Sequence, residues 1–174
     1  LIRNVSLFYA VSEELCNYYE ENYNRRPKLL PNAVENDYFL EKIDESLKED
    51  GRKLIEAIPG YKIGYSGSIK GVLDIDIIID SAKELKEFSF VFFGKAIYTN
   101  IKEYDDKLRN LISLKNVYYL GNQDRKILPY LLAEMDLLLM VYSNRKDVWT
   151  YYSDPAKLFE YMAAGLPVIA SNYP

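Results

Sequence analysis

The densest run of chemically useful residues lies near the end of the chain: Ser153-Asp154-Pro155-Ala156-Lys157-Leu158-Phe159-Glu160-Tyr161-Met162-Ala163-Ala164-Gly165-Leu166-Pro167-Val168-Ile169-Ala170-Ser171. Asp154 is a residue type that caps helices. Pro155 suits a first helical position, where it leaves no N–H unpaired, and Gly165 can take the left-handed conformation that ends a helix. The run therefore predicts a helix of about ten residues, docked by Leu158, Phe159 and Met162 and followed by a buried strand. The start of such a helix offers backbone N–H groups and a positive dipole end, a receptor for a diphosphate. Lys157 adds a point charge in the first turn. Glu160, about one turn on, carries a carboxylate able to accept hydrogen bonds from two vicinal hydroxyls, as a ribose presents them. The two are also spaced to pair with each other, a competing use worth only tenths of a kcal/mol.

Other residues invite chemistry and have plainer uses. Asp74-Ile75-Asp76 has the look of a carboxylate pair for a divalent ion, but acidic residues opening an amphipathic helix are favoured by capping and dipole alone, and that is the preferred reading. Lys70 is either a solvated turn residue or a phosphate contact. Gly94 ends an apolar strand, where a plain turn and the close approach of a nucleotide both suit glycine. Trp149, Tyr151 and Tyr152 form either a donor-side loop or a packed aromatic cluster. Cys16 reads as a small core filler.

The elements that must position these groups follow from patterning. Short apolar runs at residues 5–11, 61–65, 88–93, 117–120, 136–142 and 167–170 alternate with amphipathic stretches, as β-α units around a mainly parallel sheet do. Ile75, Ile78, Ile79, Ala82 and Leu85 recur at three- and four-residue steps and form one helical stripe. Residues 12–23, 102–111 and 124–133 read as further helices, the first capped by Ser12. Residues 27–60 hold turn residues, many charges and a short helical piece at 47–57. The expected fold is α/β, a Rossmann-like parallel sheet flanked by helices. Residues 1–26 are expected to be the tail of an upstream domain, 27–60 a junction, and 61–174 a second domain, itself expected to be incomplete.

Composition removes several classes. The 174 residues are 49% hydrophobic and 28% charged, as in a globular protein. Lys and Arg total 22 against 26 Asp and Glu, without a long block of either sign, so a nucleic-acid partner is not expected. No histidine occurs, which excludes a Ser-His-Asp triad, a Cys-His dyad and imidazole metal ligation. With one cysteine there is no internal disulfide, and no metal site is expected. No apolar run approaches the roughly 20 residues of a membrane span. A dinucleotide-dependent oxidoreductase would need G-x-G-x-x-G, whereas Gly64 and Gly67 are followed next by Gly71.

The 153–171 run resembles the donor-binding motif of GT-B glycosyltransferases, in which a helix carrying a Glu and ending in an Ala-Gly-x-Pro-Val turn grips a nucleotide sugar. Four further stretches resemble landmarks of that family in its own order. Ala10-Val11-Ser12 with Leu15 is similar to the helix start closing the N-terminal domain, and Leu30-Pro31-Asn32-Ala33-Val34-Glu35 to the junction. Ile63-Gly64-Tyr65-Ser66-Gly67-Ser68 with Lys70-Gly71 is similar to the first strand and glycine-rich turn of the C-terminal domain. Val117-Tyr118-Tyr119-Leu120-Gly121 is similar to the strand before the base-binding loop.

The resemblance implies a transferase moving a sugar from a UDP-, GDP- or TDP-sugar to a glycan or lipid-linked acceptor, as in polysaccharide biosynthesis. It implies no cofactor beyond the donor substrate. It also implies a cytoplasmic enzyme, or one peripheral to the inner face of the membrane, whose whole length extends beyond this chain and carries the acceptor pocket. Glu160 would hold the ribose, with Ser153, Asp154, Pro155, Lys157 and Leu158 around the phosphates or sugar. Gly67 and Ser68 would approach the phosphates from the other side, Lys70 would neutralise the leaving diphosphate, Gly94 would line the site, and Asn122 and Gln123 would lie near the base. Many retaining members carry a second Glu eight positions before the first; here that position is Tyr152. A nucleotide-sugar 2-epimerase or a non-catalytic nucleotide-sugar module are the alternatives.

Overall fold

The computed structural model of the protein describes residues 4–34, 44–143, 149–152 and 154–172. Five strands form one parallel sheet: β3 (Tyr61–Ser66), β4 (Phe88–Phe93), β5 (Val117–Tyr119), β6 (Leu137–Met140) and β7 (Val168–Ala170), in the order β5-β4-β3-β6-β7. A separate parallel pair joins β1 (Tyr9–Ala10) to β2 (Lys28–Leu29). The helices are α1 (Glu13–Tyr23), α2 (Glu45–Ile55), α3 (Ile75–Glu84), α4 (Lys102–Ser113), α5 (Leu128–Ala133) and α6 (Ala156–Ala163), and Trp149–Tyr152 forms a single 3₁₀ turn.

From β3 the chain steps outward through α3 to β4 and through α4 to β5, then returns to the other side of β3 for β6 and β7. Right-handed crossovers put the two sets of connecting helices on opposite faces, and the reversal leaves a crevice at the carboxyl ends of β3 and β6. Phe90, Val91, Phe92 and Phe93 are all buried, as a strand covered on both faces requires. The apolar stripe of α3 (Ile75, Ile78, Ile79 and Ala82) joins them in the core. The expected α/β architecture with a Rossmann-like parallel sheet is present.

Local signals set most boundaries. Ser12 caps α1, its hydroxyl oxygen accepting from the Leu15 N–H at 3.1 Å. Asp74 caps α3 by accepting from Ile77 N–H at 3.2 Å, the structural use foreseen for it. Gly165, with φ 71°, follows α6 in the left-handed conformation, its N–H donating to the Met162 carbonyl at 3.0 Å. Cys16 lies on the buried side of α1.

Six expectations need correction. Met162, foreseen as docking α6, is exposed, and β7, foreseen as buried, is half-buried at Val168 and exposed at Ile169 and Ala170 because it is the edge strand of the sheet. The strand foreseen at residues 5–11 shrinks to Tyr9–Ala10, because its pairing partner β2 is two residues long and Val5 and Leu7 lie exposed. That partner itself falls inside the stretch read only as a junction. The helix foreseen at 124–133 begins at Leu128, because the Asp124 carboxylate accepts from Lys126 N–H at 2.8 Å and holds a turn first. The last helix is capped at Pro155, whose ψ of 126° is extended, and no side chain caps it, so Asp154 lies one residue before the cap and the helix has eight residues.

Candidate functional site

Three glycines turn the chain at the carboxyl ends of adjacent strands: Gly67 after β3 (φ 123°), Gly94 after β4 (φ 147°) and Gly121 beyond β5 (φ 68°). They extend the ladder of the sheet, with Gly67 N–H donating to Phe93 O at 2.8 Å and Gly94 N–H to Gly121 O at 2.7 Å. A Cβ on Gly94 would collide with the Gly67 carbonyl, so the bare Cα at 94 is required by the neighbouring backbone. The result is a shallow floor of main chain at the switch point.

A cleft of about 220 Å3 opens over this floor. Of the residues singled out from the sequence, Gly67, Gly94, Asn122, Gln123, Lys157 and Glu160 line it. Ser66, Phe93, Arg125 and Leu128 complete the wall and were not anticipated. The backbone of Gly121 was quoted only as a landmark, although its carbonyl anchors Gly94. Gln123 is fixed by donation from its side-chain amide to the Leu120 carbonyl at 2.5 Å, while Asn122 is exposed at the rim.

The remaining candidates stand around the cleft without lining it. Ser68 is exposed, and its carbonyl accepts from the Tyr65 hydroxyl at 3.1 Å. Lys70 is half-buried and near enough to act on Lys157 electrostatically. Leu158 is half-buried against the core. Asp154 and Pro155 are half-buried, and the Asp154 carbonyl accepts from the Asn32 side-chain amide at 2.5 Å. Ser153 lies outside the described residues. The segment before α6 is thus tied to the junction rather than turned to the cleft, which is reached one turn later by Lys157 and Glu160.

Those two side chains do not pair. The Glu160 side chain is 22% exposed and lies 3.9 Å from the Arg125 guanidinium. The Lys157 ammonium instead sits over the Tyr65 ring, 3.9 Å from its centroid, and 5.9 Å from that of Tyr142. Burial of the ammonium pushes Lys157 down to about 7; the Glu160 carboxylate opposes this and Lys70 adds to it. Below, the Tyr161 hydroxyl accepts from the buried Ser66 N–H at 2.9 Å and so fixes α6 to the end of β3. Tyr151 and Tyr152 meet edge to face with centroids 5.0 Å apart, and Tyr152 meets Tyr18 of α1 at 4.9 Å, so these two tyrosines belong to a packed aromatic cluster.

A larger hollow of about 610 Å3 lies between the starts of α3 and α4. Its carboxylates are committed elsewhere: Asp74 caps α3, and Asp76 and Glu103 both pair with Lys107, at 2.8 and 3.2 Å. The cleft over the glycine turns is therefore the candidate site.

Residues 60–174, about two thirds of the chain, match the family model "Glycosyl transferases group 1". The chain belongs to the group 1 glycosyltransferases. Among curated proteins it is 28% identical over 142 residues to TuaH of Bacillus subtilis (strain 168), a protein named as a teichuronic acid biosynthesis glycosyltransferase. That match covers 82% of this chain and 34% of TuaH. Among solved structures, Anabaena Alr3699/HepE in complex with UDP and glucose superposes with a TM-score of 0.77 at 20% identity, over 98% of this chain and 46% of that one. A Rickettsia africae ESF-5 glycosyltransferase superposes with a TM-score of 0.69 at 18% identity, over 95% and 44%. The chain thus spans about a third to a half of the length of the glycosyltransferases it matches. At these identities the solved structures establish that it shares their GT-B fold.

Proposed function

We propose that this chain supplies the donor-binding half of an enzyme that transfers a sugar from a nucleoside-diphosphate sugar to a glycan or lipid-linked acceptor. In this reading residues 61–174 form the donor domain, residues 1–26 close an acceptor domain lying largely outside the chain, and residues 27–60 join the two. The observation that carries it is the convergence of Lys157 and Glu160 on a cleft floored by Gly67 and Gly94 at the switch point of the sheet. A UDP-sugar is the leading donor among the UDP, GDP and TDP forms. HepE, of the same fold, is solved in complex with UDP and glucose.

The chemistry asked of these groups is electrostatic. Glycosyl transfer passes through a transition state in which the sugar becomes positive and the departing diphosphate gains negative charge. Lys157 and the backbone at Gly67 would meet the diphosphate, Glu160 the ribose hydroxyls, and Asn122 and Gln123 the base. Membership in the group 1 family supports transfer rather than epimerisation or mere binding. No helix among the described residues is long and apolar enough to cross a membrane.

Calorimetry with UDP, GDP, TDP and their sugars tests the reading. Binding of UDP is expected, weakened about tenfold or more in Glu160→Ala, since hydrogen bonds to a charged group contribute about 1.5–3 kcal/mol each. Product analysis of the whole enzyme with radiolabelled UDP-sugar should show transfer. Silence from every nucleotide defeats the proposal.

A further inference from the structure

Lys157 is held in a way that a solvated lysine is not. Its ammonium lies over the Tyr65 ring at 3.9 Å and so close to Gly67 that a Cβ there would collide with Nζ, while Cε would stand 3.1 Å from it. Glu160, one turn along α6, lies beside Arg125 instead. The positive charge is therefore met by ring faces where the cleft floor is main chain, and by no carboxylate in contact among the described residues. A charge so placed is costly until an anion joins it.

Resting on the donor reading above, we propose that Lys157 is a proton-exchanging clamp for the diphosphate: it sheds its proton in the empty cleft and takes one up when phosphate oxygens settle against Gly67, with Tyr65 as the residue that positions it. The proton comes from solvent onto the Nζ lone pair, and no bond of the donor is made or broken in that step. The cleft then avoids an uncompensated cation while empty and presents an ammonium where negative charge gathers during transfer.

The groups facing Lys157 agree with this. Burial holds its pKa at about 7, Glu160 of the same helix raising it and Lys70 of the turn after β3 lowering it. Tyr65 of β3 is pushed up by burial, Tyr142 beyond β6 is pushed up to about 12 by burial, and Tyr161 of α6 is raised likewise, so the rings around the ammonium are neutral. Arg125, before α5, lies beside Glu160 and reduces that carboxylate's hold on the lysine. A multiply charged phosphate supplies what is missing, and a nearby opposite charge favours the protonated form.

The test is calorimetry of UDP binding at pH 8 in buffers of differing ionisation heat. The terminal phosphate, with a second pKa near 6, is then already ionised, so any proton taken up goes to the protein. With the free lysine at about 7 and the bound one near the ordinary ~10.4, uptake of close to one proton per UDP is expected. Lys157→Met should abolish the uptake and weaken binding more than tenfold. Tyr65→Phe, which keeps the ring face, should preserve the uptake, and Tyr65→Leu should reduce it. Binding of UDP without proton uptake by the unaltered protein overturns this inference and leaves the donor reading intact. No binding of UDP, GDP or TDP removes both. Because the decisive measurement is on the unaltered protein, it holds even where a variant fails to fold.

Discussion

At the scale of single residues, the glycine turns separate two reasons for lacking a side chain. Gly94 has φ 147° and a Cβ there would strike the Gly67 carbonyl, whereas Gly121 has φ 68° with nothing within 4 Å of an added Cβ. Gly94→Ala should cost about 3 kcal/mol or more, since backbone strain and collision with main chain act together. Gly121→Ala should cost only about 1–2 kcal/mol, the penalty for a left-handed residue alone. Urea denaturation of both variants checks this, and equal losses would show that the two turns are strained in the same way. Legibility at this scale was uneven. Lys157 and Glu160 could be chosen because their spacing on one helix puts both on one side. The ring beneath Lys157 could not be foreseen, because Tyr65 and Tyr142 are 77 positions apart and meet only through β3 and β6. Arg125 was hidden for the same reason: nothing local says that the turn before α5 faces α6.

At the scale of elements, the sequence was most readable where both faces of a strand are covered. Phe88–Phe93 has the predicted limits because every residue from 89 to 93 must be buried, which leaves no freedom for the pattern to slip. It was least readable where a cap decides the boundary, as at α6. There Pro155 takes the extended cap position and the Asp154 carbonyl is used by Asn32. What sets α6 in place is instead the Tyr161 hydroxyl on the Ser66 backbone, with Tyr161 fully buried. Tyr161→Phe leaves the ring but strands the Ser66 N–H, a loss of about 1–3 kcal/mol. Since α6 carries Lys157 and Glu160, UDP affinity should fall as well, although the altered atom lies outside the cleft wall. Denaturation and calorimetry on that variant read the two effects separately; unchanged stability would show that another contact fixes the helix.

At the scale of the whole molecule, the segment entering α6 is gripped from the N-terminal part of the chain. The Ser12 hydroxyl donates to the Tyr152 carbonyl, Asn32 donates to the Asp154 carbonyl, and Tyr18 packs on Tyr152. These contacts span 140 and 122 positions of sequence, which is why no local pattern announced them. They make α1 and the junction mechanical partners of the donor cleft: a ligand that steadies α6 also steadies what holds its entry. Hydrogen exchange should therefore show that UDP protects amides in residues 13–16 and 28–34 as well as in α6, because local opening of one unit is coupled to the other. The Ser12→Ala, Asn32→Ala double variant should keep protection in α6 and lose it in the remote segments, with UDP affinity lowered by roughly the two lost hydrogen bonds, about 1–3 kcal/mol together. Protection confined to the cleft in the unaltered protein would mean that the grip is static packing, and that the two parts of the chain respond to the donor independently.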